Sequence, residues 1–198
     1  MPEDADKNSW RSRVAAAREQ IRPDQLAAAA SSLTDHVRDR VTGLRRIAGY
    51  IPVGAEPGST DLLDQMRAGG TTVLLPVVQP AGVLDWAIYD GPDQLGRGRF
   101  GLREPVGERL GSAALAGIDL VLVPALAVAR DGVRLGRGAG YYDRALARVP
   151  DLTPVVALLH DGELVERLPA DPWDRRMTAA VTPHTGWTEL PPVAHHNG

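Results

Sequence analysis

The chain has 198 residues, 43% apolar and 24% charged, enough for one buried core without disulfide or metal staples. It has no cysteine, which excludes a disulfide framework, a cysteine nucleophile and any thiolate metal site. A net charge of −3, with only four Trp and one Phe beside the tyrosines, argues against general nucleic-acid binding and against a stacking platform for single strands.

The start, residues 1–7, is acidic and has no apolar stretch behind it, so no secretory signal is expected. No run reaches the roughly 18 apolar residues that cross a bilayer. A cytoplasmic protein is therefore expected. Residues 9–20 read as a first helix. Pro23 suits the first turn of a second, over 23–41, in which Leu26, Ala29, Ala30, Leu33 and Val37 recur at helical spacing. Residues 46–53 form an apolar run expected to be a strand. Ser59 or Thr60 caps a helix over 61–68, which Gly69 and Gly70 stop. Strands are expected over 71–78 and 84–89, an ordered Gly-, Arg- and Pro-rich loop over 91–111, and a clear strand over 118–123. A helix over 139–148 follows a glycine-rich loop. Strands over 153–159 and 179–182 come next, and a loose tail is expected over 187–198.

Strands alternating with helices predict an α/β fold: a three-layer sandwich around a mostly parallel sheet, Rossmann-like in topology, in a single domain over 1–186. In such folds ligands sit beyond the carboxyl ends of the strands, so the segments after Val53 and Val123 are the places to search.

The second of these carries Arg134, Gly136, Arg137, Gly138, Gly140, Tyr141, Tyr142 and Asp143, with Gly132 just before. Glycines let a backbone approach a ligand closely, and successive exposed N–H groups make an anion-binding concavity. A helix start adds its positive end. Arg134 and Arg137 supply forked donors for phosphate oxygens, and the carboxylate of Asp143 suits Mg²⁺. A flexible surface loop with scattered arginines is the competing reading of the same composition. A second glycine pattern, Gly96, Gly98 and Gly101, matches the dinucleotide fingerprint by letter, but no strand leads directly into it and no helix follows. The lysine motif of an ordinary P-loop is absent.

The stretch from Arg134 to Asp143, behind a strand and Pro124, resembles the signature of the 5-formyltetrahydrofolate cyclo-ligase (methenyltetrahydrofolate synthetase) family. Lys7, Trp10 and Arg11 look like that family's Lys-x-x-Leu-Arg, with Trp for Leu. Glu56 and Ser59 look like its Glu-x-x-Thr. Leu168-Pro169, Trp173-Asp174 and Val181-Thr182 look like its closing Leu-Pro, His-Asp and Val-Thr. Trp173 replaces the usual His, Thr178 stands where an acid is common, and Glu163 where Gln is frequent.

The resemblance implies conversion of 5-formyltetrahydrofolate to 5,10-methenyltetrahydrofolate through phosphorylation of the formyl oxygen by ATP, releasing ADP and phosphate. It implies ATP binding by Lys7, Arg11, Arg134, Leu135, Gly136, Arg137, Gly138, Ala139, Gly140, Tyr141 and Tyr142, with Arg137 and Lys7 catalytic. Ile51, Glu56, Arg137, Gly138, Gly140 and Tyr141 are the expected folate contacts, and Asp143 and Asp174 the Mg²⁺ ligands. The expected partners are folate and ATP, with no nucleic acid and no membrane, and the expected state is a monomer. Trp86 is a further candidate for the folate cleft. His36, His160 and the adjacent His195 and His196 read as structural or incidental rather than catalytic. Two other classes stay open on the residues alone: an anion-binding enzyme of the sugar-phosphate isomerase or CoA-transferase type, and a module that binds nucleotide or folate without turning it over.

Overall fold

The structure, a computed structural model, describes residues 6–171 and 174–191. It begins with α1 (Lys7–Glu19), capped by the Asp6 carboxylate, which accepts the Ser9 N–H at 2.7 Å. Then come α2 (Pro23–Val41), β1 (Arg46–Ala48), α3 (Thr60–Ala68), β2 (Thr72–Val78) and β3 (Leu84–Ile88). Ser59 caps α3 by accepting the Leu62 N–H at 3.1 Å, as its position predicts. The chain continues through β4 (Leu95–Arg97), β5 (Arg103–Pro105), β6 (Leu120–Pro124), β7 (Ala127–Ala129), β8 (Arg134–Leu135) and α4 (Tyr141–Leu146). It closes with β9 (Val155–Leu158), β10 (Leu164–Val165), β11 (Ala179–Thr182) and β12 (Gly186–Glu189).

The main sheet has seven strands in the order β12-β11-β9-β6-β1-β2-β3. The five inner strands are parallel; β3 and β12 pair antiparallel at the two edges. Successive side chains go to opposite faces. Ile47, Val73, Leu122 and Val156 meet Leu33 and Val37 of α2 and Leu62 and Leu63 of α3 on one face. Ala48, Leu74, Val121 and Val155 meet Leu146 of α4 and Leu115 of the 3-10 turn Ser112–Gly117 on the other. Each such Leu or Val contributes roughly 1.5–3 kcal/mol when buried, so packing on the sheet, more than propensity, fixes these helices. The expected three-layer α/β architecture is what the chain adopts.

Several segments depart from the sequence reading: the strand expected over 46–53 ends at Ala48, and three others differ in kind. The expected loop over 91–111 holds the antiparallel hairpin β4–β5, with Leu95 opposite Pro105. A small sheet of β10, β7 and β8 was not expected; two of its three strands have only two residues, too short for a periodic pattern. The start of the expected loose tail is strand: β12 pairs with β11, and Trp187 packs on the core with the Arg40 guanidinium 5.2 Å from its ring centroid. Pro172, Trp173 and residues 192–198, including His195 and His196, lie outside the described residues.

Candidate active site

From β1 the chain moves to β2 on one side of the sheet, and from β6 to β9 on the other. Adjacent strands that diverge in this way open a crevice between the loops at their carboxyl ends. A cleft of about 740 Å³ lies there. Tyr50, Ile51 and Glu56 line it from the segment after β1, Pro124 from the end of β6, and Gly136 to Asp143 from the loop before α4 and its first turn.

The loop runs from Gly136 to Gly140. Gly138 and Gly140 take φ of +97° and +70°, which only glycine adopts cheaply. Among the described residues, none accepts a hydrogen bond from the N–H groups of residues 136–140. Arginines hold the loop in place. Arg11 of α1 donates Nε–H to the Gly136 carbonyl at 3.0 Å, and a Cβ at Gly138 would fall 3.1 Å from the Arg11 Cζ. Arg144 donates to the carbonyls of Ala139 at 3.0 Å and Gly82 at 2.8 Å. Arg134 is buried; it donates to the Pro124 carbonyl at 3.1 Å and pairs with Asp143. The helix α4 starts at Tyr141, two residues later than expected, and has only six residues. Its dipole is correspondingly small, and the exposed loop amides supply the positive field. Gly132 is not part of this loop. It forms the turn between β7 and β8, where a Cβ would come within 2.7 Å of the Met177 carbonyl oxygen.

Arg137 reaches to Glu56: Nη2 to Oε1 is 2.9 Å, with Glu56 Oε2 accepting the Val53 N–H at 2.9 Å. The Glu56 side chain is 10% exposed and that of Arg137 61%. Tyr141 and Tyr142 both line the cleft. Burial, with the charge of Glu56 adding to it, pushes the Tyr142 hydroxyl well above the usual tyrosine range. Burial likewise pushes up Tyr50, whose hydroxyl donates to the Pro57 carbonyl at 2.6 Å. Both phenols stay neutral donors at ordinary pH.

Other expected site residues stand apart from the cleft lining. Lys7 donates to Asp171 at 2.6 Å and Asp174 at 3.2 Å, one helical turn before Arg11. Partial burial alone would lower the Lys7 ammonium, but these two acids outweigh it and hold it above the ordinary lysine value. Asp174 also accepts the Asp171 N–H, so its carboxylate belongs to the lysine cluster, while Asp143 belongs to Arg134. The Leu135 side chain packs with Val14, Leu126 and Ala127 and leaves only backbone to the loop. Trp86, 1% exposed, lies in the core and does not line the cleft. His36 and His160 are structural as expected: their Nε2 atoms contact the carbonyls of Pro183 at 3.1 Å and Ala55 at 2.9 Å.

The sequence reading missed the wall formed by the β4–β5 hairpin. Phe100 to Glu104 line the cleft, and Phe100, 75% exposed, sits at φ +56°. A non-glycine residue in that region costs on the order of 1–3 kcal/mol. The available signal was the chain's single phenylalanine among glycines and arginines, in the pattern set aside as a false dinucleotide motif.

Comparison with known proteins identifies the family and the fold. A family model described as the 5-formyltetrahydrofolate cyclo-ligase family matches residues 3–183. A 5-formyltetrahydrofolate cyclo-ligase of Mycolicibacterium smegmatis is 45% identical over 151 residues, 74% of this chain and 77% of that protein. One of Escherichia coli is 33% identical over 144 residues, 71% of this chain and 79% of that protein. The solved structure of a 5,10-methenyltetrahydrofolate synthetase of Aquifex aeolicus superposes with a TM-score of 0.74 at 28% identity, covering 97% of this chain and 99% of that one.

Proposed function

The chain belongs to the 5-formyltetrahydrofolate cyclo-ligase family, and from that premise we propose that it closes 5-formyltetrahydrofolate to 5,10-methenyltetrahydrofolate at the expense of ATP. One observation carries the reading: the amide-rich loop 136–140 and Glu56 face a single cleft, and Arg137 joins them.

The formyl group on N5 is an amide, and its oxygen is a poor leaving group. In the proposed first step this oxygen forms a bond to the γ-phosphorus of ATP, and the bond to the β,γ-bridging oxygen breaks, so that ADP departs with the electron pair. N10 then attacks the formyl carbon, the carbon–oxygen bond breaks, inorganic phosphate leaves and the N10 proton is lost. Phosphoryl transfer asks the protein chiefly for positioning and charge neutralisation. The free amides of residues 136–140 and the guanidinium of Arg137 are suited to the triphosphate. Ile51, Glu56 and Tyr141 are suited to the pterin, whose N–H groups need acceptors. Arg137 swings between Glu56 and the transferring phosphoryl group, and Arg11 and Arg134 hold the loop that supports it. Lys7 has its role here through Asp171 and Asp174, beside Arg11, at the outer end of the phosphate tail.

Asp143 and Asp174 are the acids proposed for Mg²⁺. The donor chemistry fits: Asp143 offers Oδ2, free of described donors, while Arg134 holds Oδ1. Among the described residues no group of three or more acid or histidine side chains forms that could hold a metal ion by itself, so an ion here would need phosphate and water ligands as well. Such an ion, when bound, neutralises phosphate charge. A monomer is the oligomeric state we propose. A cytoplasmic location is part of the proposal; separately, no described helix is long and apolar enough to cross a membrane.

The test is direct. Purified protein mixed with 5-formyltetrahydrofolate, ATP and Mg²⁺ is expected to develop the methenyl chromophore, with one ADP formed per product. ATP turnover without that chromophore, or folate binding without product, sinks the proposal.

A further inference from the structure

Three carboxylates line the cleft: Glu56, Glu104 and Asp143. Glu56 is matched by Arg137 and Asp143 by Arg134. Glu104 has no cation beside it among the described residues, although it is only 7% exposed. Its Oε1 accepts the Val78 N–H at 3.0 Å, and no described donor reaches Oε2. Leu75, Pro76, Val78 and Leu84, from β2 and β3, line the same cleft. No side-chain oxygen among the described residues is both sealed from solvent and unpartnered, so Oε2 is open to the cleft. A carboxylate fixed at a cleft wall with one oxygen open offers an acceptor to a ligand donor.

The hairpin is shaped to keep this carboxylate in place. Gly98 has φ −91°, which any residue adopts, so backbone freedom does not require glycine there. Space does: a Cβ on Gly98 would fall 2.1 Å from the Glu104 Cδ and Oε2. The glycine pattern that imitates a dinucleotide site thus makes room for an acid.

We propose that Glu104 Oε2 accepts a hydrogen bond from an N–H group of the reduced pterin ring, making it a second folate-binding acid in addition to Glu56. The choice of ligand follows from charge. An uncompensated carboxylate repels a triphosphate, so the part of the cleft beside β2 suits the donor-rich, uncharged pterin. The inference rests on the proposed cyclo-ligase reaction for the identity of its ligand.

The experiment uses Glu104→Gln, which keeps an acceptor for the Val78 N–H but faces the ligand with an amide. Affinity for 5-formyltetrahydrofolate, titrated without ATP, is expected to weaken at least tenfold. The KM for ATP should stay within about twofold and the unfolding midpoint should not move. Gly98→Ala, which leaves Glu104 in the chain but displaces its carboxylate, is expected to show the same split. Unchanged folate affinity in both variants overturns the inference even if the wild-type enzyme makes product. An equal loss for ATP and folate also overturns it, since that marks Glu104 as a latch between hairpin and sheet. Folate binding by a wild-type protein that forms no product would defeat the proposed reaction and leave the binding comparison to decide on Glu104.

Discussion

Arg137 and Glu56 meet at 2.9 Å across the cleft, one from the loop after β8 and the other from the segment after β1. The acid is nearly buried while most of the arginine side chain meets solvent. The pair is therefore asymmetric: Glu56 is held by its own turn through the Val53 N–H, and Arg137 is the member free to move.

Arg137→Ala is expected to lower kcat/KM at least tenfold, about 1.4 kcal/mol in barrier. Because the guanidinium is largely exposed, the thermal midpoint should barely change. Steady-state formation of the methenyl product beside a melting curve separates the two effects, and wild-type kinetics would remove Arg137 from the site.

Arg18 and Glu163 form a second, deeply buried pair. Nε–Oε1 is 2.7 Å and Nη2–Oε2 is 2.9 Å, with Arg18 also donating to the Ala125 carbonyl at 2.7 Å. The backbone N–H of His160 donates to the same carboxylate at 2.8 Å. Glu163→Ala leaves a buried guanidinium without its partner and is expected to cost about 3–5 kcal/mol of stability. Urea unfolding is the measurement. A cost below about 1 kcal/mol would mean that water or a rearranged carbonyl takes over the role of the carboxylate.

Tyr89 gives a prediction at alkaline pH. Burial first, then its hydrogen bond to Asp64 at 2.9 Å, pushes its hydroxyl up to about 12 from an ordinary value of 10.0. The folded state holds this proton more tightly than the unfolded chain. The resulting stability is fully present below pH 10 and is lost as pH rises toward about 12. The stability difference between wild type and Tyr89→Phe should therefore be flat below pH 10 and shrink above it. A difference that stays constant through this range would show that the phenol has no raised pKa.

The sequence was most legible where one periodic face meets a long partner. The second helix begins at Pro23 and ends at Val41 as its spacing predicts, because a 19-residue amphipathic helix declares its buried side. The loop from Arg134 to Asp143 was legible as a glycine- and arginine-rich stretch before a helix, with a flexible surface loop as the competing reading, and its place at the cleft needed the fold. The hairpin wall was not. Its strands of three residues show no alternation, and Glu104 gains meaning only when Val78 and Gly98 come beside it from elsewhere in the chain. The surroundings of Lys7 were hidden for a similar reason: Asp171 and Asp174 are more than 160 positions away.

The arginines around the loop have a consequence for its polarity. Two of its backbone oxygens, those of Gly136 and Ala139, are already engaged by guanidinium groups of Arg11 and Arg144, so the negative ends of these peptide dipoles are satisfied from behind. Among the described residues, the hydrogens on the same stretch have no such counterpart. Folding has sorted the two ends of these dipoles, and on the proposed reading the result is a one-sided socket that an incoming anion would meet with little reorganisation left to do.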